Sequence, residues 1–247
     1  MYLLTGTIFS LAVFLTSALS GVFGMAGGLL LLWFLLLLFP ATAAIAVHGI
    51  IQLSANFSRA WISRSYIVWP VVAKITTGVL IAAGVLLIVN YTPNAATISL
   101  AIGLMPLLVW MPTNWVKLDA SRSGHALGCG LTAGGLTIAA GVSGPLIDIF
   151  FIRTHMGRRQ IVATKATIQV ISHAIKTIFY LDAALSLSKG EWGFVLLAAP
   201  LAIVGTNAGN YMLMRMTDAN FRALSRWIVT AIGVFYFIQW LFLVSWD

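Results

Sequence analysis

Two stretches of this chain carry the same polar pattern inside otherwise apolar surroundings. One holds His48, Gln52, Asn56 and Arg59; the other holds Lys165, Gln169, His173 and Lys176. Both sets step by four, four and three residues, so each falls on one face of a helix. A single offset of 117 residues carries the first set onto the second. Carried backwards without a gap, it also sets Gly24 on Gly141 and Gly27 on Gly144. Each copy therefore reads as a glycine-rich break, an apolar segment and a helix with one polar face. Paired breaks and paired polar helices are the pattern of membrane transporters built from repeats.

Composition supports a membrane setting. Of 247 residues, 60% are hydrophobic and 8% charged, against roughly 25% charged in a soluble domain. The long, nearly uncharged runs mark an all-α integral membrane protein. No stretch of ordinary composition is long enough for a soluble domain as well. The net charge of +8 invites a nucleic-acid reading. The basic residues, however, sit mostly in short loops between apolar segments, where topology accounts for them. Cys129 is the only cysteine, which excludes an intrachain disulfide and a CxxC metal site. Residues 1–20 lack a basic leading region and a small-residue cleavage site, so they read as a retained membrane segment.

Apolar segments are expected at 3–20, 26–39, 41–62, 66–90 and 94–112, then at 124–140, 144–153, 159–181, 190–213 and 220–245. Residues 3–39 exceed one straight span: as a single helix they would reach roughly 55 Å, against a hydrocarbon core of roughly 30 Å. The run breaks between Gly21 and Gly28; its counterpart breaks around Gly134–Gly135 and from Gly141 to Pro145. Glycine permits left-handed backbone and proline cannot continue the helical ladder, so hairpin turns or helix breaks are expected there. The second arm of each hairpin is short for a full crossing.

Loop charges give an orientation. Arg59 and Arg64, Lys117 and Arg122, Arg153, Arg158 and Arg159, and Arg215, Arg222 and Arg226 mark one side. The start of the chain, residues 39–41 and residues 90–94 carry no Lys or Arg and mark the other. The positive-inside rule puts the first group in the cytoplasm. Equivalent loops of the two copies then lie on opposite sides. The expectation is two inverted-topology repeats of about five segments each, over 1–118 and 119–247. The broken or re-entrant hairpins would meet near the bilayer midplane, and both termini would lie on the non-cytoplasmic side.

In lipid, each polar stripe must face protein or a water-filled cavity. A lone Gln or Asn is well explained as glue between helices; two matching stripes beside two matching breaks favour a solute path. The breaks expose unpaired N–H groups at positive helix ends, which is an anion site without a fixed charge. The candidate binding residues are Gly24, Ala26, Gly27, Gly28, His48, Gln52 and Asn56 from the first copy. The second copy supplies Gly141, Ser143, Gly144, Pro145, Lys165, Gln169 and His173. Asp148 has no acidic counterpart, Leu31 standing at the equivalent position. Asp148 and Lys165 are thus candidates either for ion coupling or for a structural pair. His48 and His173 are candidate proton relays. Arg59, Lys176, Arg222 and Arg226 are expected as interface anchors, and Gly130–Gly134 and Gly205–Gly209 as close helix contacts. No nucleophile–base set, HExxH motif or metal-spaced cysteines appear, so neither an enzyme nor a metal or cofactor site is expected.

These motifs resemble the TauE/SafE (TSUP) family of sulfite exporters over nearly the whole chain. The carriers are Gly21 to Gly28, Ala140 to Leu146, Arg159–Gln160, Lys165–Ala166–Thr167 and His173 to Lys176. The resemblance implies a transporter of small sulfur-containing or organic anions in a bacterial inner membrane. The family includes importers as well as exporters; the expected function is a secondary transporter of sulfite or a sulfonate-like anion, with export, ion coupling and alternating access. An anion channel and a carrier of another small organic anion are the alternatives. The implied partners are the solute, membrane lipid and a second copy in a homodimer, with no nucleic acid.

Overall fold

The computed structural model describes residues 2–24, 26–112, 114–213 and 215–245, without the side chains of 2–5, 218, 219, 221 and 222. Among the described residues all regular structure is helical. Helix α1 (Tyr2–Phe23) turns at Gly24 into α2 (Ala26–Leu38), and α3 (Ala41–Ile62) follows. A short 3-10 turn (Arg64–Tyr66) leads into α4 (Trp69–Ile88), α5 (Ala95–Gly103) and α6 (Met105–Val109). The second half holds α7 (Ser123–Cys129), a π-helical turn (Gly130–Gly134) and α8 (Gly135–Ala140). It continues with α9 (Gly144–Phe151), α10 (Arg158–Phe179), α11 (Leu181–Leu185), α12 (Lys189–Leu213) and α13 (Asp218–Ser245).

Local chemistry sets these boundaries. Asn94 caps α5, its Oδ1 accepting from the Thr97 N–H at 2.7 Å, which satisfies a first-turn donor. Gln160 reaches back to the Gly157 N–H at 3.0 Å to start α10. Ser188 and Glu191 bond each other's backbone at the start of α12. Pro106 ends the preceding helix, so the single segment expected over 94–112 is split into α5 and α6. The expected break at Gly134–Gly135 is absent: the chain passes through it helically by way of the π turn, and the break falls at Gly141. In the first half the turn falls at Gly24, with Gly21 inside α1 and Gly27 and Gly28 inside α2.

Four helices, α1, α4, α12 and α13, are long and apolar enough to cross a membrane. Their outward residues include Leu80, Val85, Leu196, Val234 and Phe242, all more than half exposed, as lipid contact requires. Helices α3 and α10 are equally long, 22 residues each, but carry the polar stripes. They pack against each other in the interior, α3 also against α12 and α10 also against α4. Glycine brings the outer crossings close. Gly21, Gly205 and Gly209 let α1 and α12 approach backbone to backbone, and Gly78 and Gly130 do the same where α4 crosses the π turn. At 1.5 Å per residue, α2 extends roughly 20 Å and α9 roughly 12 Å, short of a core of roughly 30 Å.

Candidate functional site

The two chain reversals that the 117-residue offset superposes have the same backbone form. Gly24 has φ +71° and Gly141 φ +82°, the left-handed region that costs a side-chain-bearing residue about 1–2 kcal/mol. Helices α2 and α9 start at these turns, beside the middle of the α3–α10 pair. Between them lies a cavity of about 30 Å³, room for a water or two. Its wall includes Gly24, Gly28, His48, Gln52 and Asn56 from the first half and Ser143, Gly144, Gln169 and His173 from the second. Nine of the residues expected from the sequence therefore share one wall.

The others stand elsewhere. Ala26 and Gly27 are buried behind it; a side chain on Gly27 would strike the Thr16 carbonyl of α1. Gly141 shapes the turn and accepts a hydrogen bond on its carbonyl. Pro145 is buried in the first turn of α9. Lys165 is ion-paired with Asp148 in a second chamber of about 160 Å³. That chamber shares Gly24, Arg59, Gly144 and Gln169 with the first cavity. The pair is partly exposed, 25% for Lys165 and 38% for Asp148.

Hydrogen bonds hold the wall in place. The His48 Nε2 lies 3.0 Å from the Gly28 carbonyl, which can only accept, so Nε2 carries the hydrogen and Nδ1 is left as an acceptor. The Lys176 ammonium or amine fills that role, donating to His48 Nδ1 at 2.8 Å and to the Gly141 carbonyl at 2.9 Å. The His48 and His173 rings meet edge to face, 5.7 Å between centroids, and His173 Nδ1 is buried with no partner. Asn56 donates to the Gln52 carbonyl at 2.8 Å. Thr137 donates to the Ala133 carbonyl at 2.9 Å, so the 2.5 Å contact between Thr137 and Ser143 takes its hydrogen from Ser143.

Two expectations are overturned here. Lys176 is not an interface anchor: it is wholly buried and donates to His48 of α3 and to the carbonyl of Gly141, just past α8. Arg59 is not one either, since it lines both cavities and donates to the Ser20 carbonyl at 3.1 Å. Arg226 does sit outside, over the Trp110 ring; the Arg222 side chain lies outside the described residues. Sequence reasoning also missed Ser20 and Thr137, which line the cavity one turn before each left-handed glycine. The same 117-residue offset relates them, so the signal was present. Ser172 and Thr206 complete the hydroxyl lining and carry no repeat signal.

Outward-facing apolar helices long enough to cross a membrane, around a small interior cavity with a polar wall, mark an integral membrane protein. The chain belongs to the sulfite exporter TauE/SafE family, whose sequence profile matches residues 9–236. No curated protein and no solved structure matches it.

Proposed function

We propose that this protein is a secondary transporter that exports a small sulfur-containing anion, sulfite or a sulfonate-like solute, across a bacterial inner membrane. The observation that carries the reading is the shared cavity wall, to which both glycine turns and both glutamine stripes contribute. The early N–H groups of α2, and the Gly144 N–H of α9, have no partner within their own helices and lie at positive helix ends; Pro145 has no N–H, and those of Leu146 and Ile147 are bonded to the Ser143 carbonyl. The α2 groups, the Gly144 N–H and the amides of Gln52, Asn56 and Gln169 are the donors for the anion's oxygens, with His173 on the flank. Arg59 supplies positive charge where the two cavities join.

Residues 1–118 and 119–247 act as two inverted repeats. The reading is supported by the equal lengths of α3 and α10, the paired left-handed glycines, and the reciprocal crossings of α1 with α12 and of α4 with α7. Helices α2 and α9 are the short arms of re-entrant hairpins, which tolerate ends at membrane depth because those ends are buried in protein. One bundle rocks against the other around the solute. The cavity is far too small for a continuous aqueous pore, which favours a carrier over a channel. The Asp148–Lys165 pair, at the chamber beside the cavity, couples the cycle to its driving ion by parting in one facing state and closing in the other.

The test is binding of sulfite, sulfate, taurine and short sulfonates to purified wild type, Gln52→Ala and Gln169→Ala. Each variant loses one amide facing a charged ligand, worth about 1.5–3 kcal/mol, or about tenfold or more in affinity. Normal binding by both variants, or loss of melting temperature alone, would return the stripes to the role of glue between helices.

A further inference from the structure

Lys176 is the largest polar side chain among the fully buried residues, and the transport cycle above gives it no task. We infer that anion binding is accompanied by uptake of a charge-balancing proton at Lys176, held between His48 and the Gly141 carbonyl; this rests on the reading that the central cavity holds an anion.

The hydrogen-bond arithmetic allows both protonation states. A neutral amine has two N–H groups, enough for His48 Nδ1 and the Gly141 carbonyl. The ammonium has three. Adding a proton therefore changes the charge without breaking a bond. A proton on His48 Nδ1 would point at the Lys176 nitrogen along the same hydrogen bond, and the amine, intrinsically the stronger base, is where it rests. Protonation forms one N–H bond on Lys176 with a proton drawn from the bulk solvent, which the buffer supplies; no oxidant or reductant is involved.

The surroundings make the charge conditional. Among the described residues no carboxylate lies within ion-pair distance of Lys176. From α3 it faces His48, with Arg59 further along the same stripe; from α10 itself it has His173. The other elements packed on α10 supply no balancing acid. Lys74 of α4 is turned to Ser123, Arg64 of the 3-10 turn to the Trp61 carbonyl, and Asp182 of α11 is exposed. Asp148 is already paired with Lys165. Helix α8 contributes only hydroxyls and carbonyls. A buried cation without a partner is costly. An anion in the adjacent cavity supplies the missing counter-charge across one imidazole. Anion and proton must then strengthen each other's binding by the same factor. His173, on the cavity wall with its Nδ1 buried and unbonded, meets the His48 ring edge to face between the cavity and Lys176's hydrogen-bond partner.

The experiment is calorimetric titration of sulfate, which carries no titratable proton near neutral pH, into purified full-length protein. Two buffers of different ionisation heat report the protons taken up. Wild type should take up close to one proton per sulfate, its affinity falling by about tenfold per pH unit where uptake is complete. Lys176→Arg, permanently charged, should still bind sulfate but take up no proton and show a flat pH profile. Asp148→Asn should keep the uptake. Uptake by Lys176→Arg equal to that of wild type, or sulfate binding to wild type without uptake, would overturn the inference and leave the transporter reading intact. If wild type binds no sulfate, sulfite or sulfonate, the anion site itself is wrong and this inference falls with it.

Discussion

Gly27 and Gly28 are neighbours in sequence with different jobs, and the difference is one of what each would strike. A side chain on Gly27 would meet the Thr16 carbonyl and Ser20 of α1, rigid backbone that cannot step aside. A side chain on Gly28 would come within 2.5 Å of Gln52 Nε2, the far end of a flexible side chain. Gly27→Ala should therefore push α2 off α1 and destabilise the protein by about 1–3 kcal/mol, read as a fall in melting temperature. Gly28→Ala should melt near wild type yet bind solute about tenfold more weakly, because its methyl displaces a ligand-facing amide. A Gly28→Ala variant that binds normally would remove Gln52 from the site. The sequence alone does not separate these two glycines. The repeat marks both as part of a break, but which face of α2 looks at α1 and which at α3 depends on packing.

At the scale of the helix, the offset between repeats located α3 and α10 because spacing along one helix is a local property. The bounds of α10 match those of α3 residue for residue under that offset. The depth of a residue in the bundle is not local. Lys176 stands one turn from the end of α10, where a lysine on an isolated helix would reach to the interface. Here Tyr180 and α11 close over that end, with the Tyr180 hydroxyl donating to the Ile138 carbonyl at 3.0 Å, so the end is interior. The Asp148–Lys165 pair joins α9 to α10 and can be read from sequence only as two unplaced charges. Because both side chains reach the chamber, water screens them, and the pair should contribute only about 1 kcal/mol to stability. Asp148→Asn should thus melt within a few degrees of wild type, keep solute exchange and lose ion-driven transport. If each single variant instead loses much stability and the Asp148→Asn, Lys165→Gln double variant regains it with ion-driven transport intact, the pair is structural and the coupling role is withdrawn.

For the whole molecule the decisive quantity is sidedness, which follows from which loops carry charge and how many segments separate them. Helices α3 and α10 occupy equivalent places in the two halves and pack on each other, and α1 meets α12 as α4 meets α7. This reciprocal exchange of partners supports the proposed axis relating the two halves. On the proposed five segments per half, that axis lies in the membrane plane, so the Arg59–Arg64 loop faces the side opposite its counterpart in the second half. By the positive-inside rule, the charges of Lys117 and Arg122 would put the central connection in the cytoplasm. Cys129 is fully buried, so replacing it with alanine gives a background in which single introduced cysteines report accessibility. Ser121→Cys should be labelled by a membrane-impermeant thiol reagent only from the cytoplasmic face. Asn94→Cys and Ser10→Cys flanking the uncharged loop and the first helix should differ from each other: Asn94, in a loop, should be labelled from the outside, while Ser10, inside α1, should be protected. Labelling of Ser121 and Asn94 from the same face would break the inversion, and with it the argument that the two glycine turns approach the solute from opposite sides of the membrane.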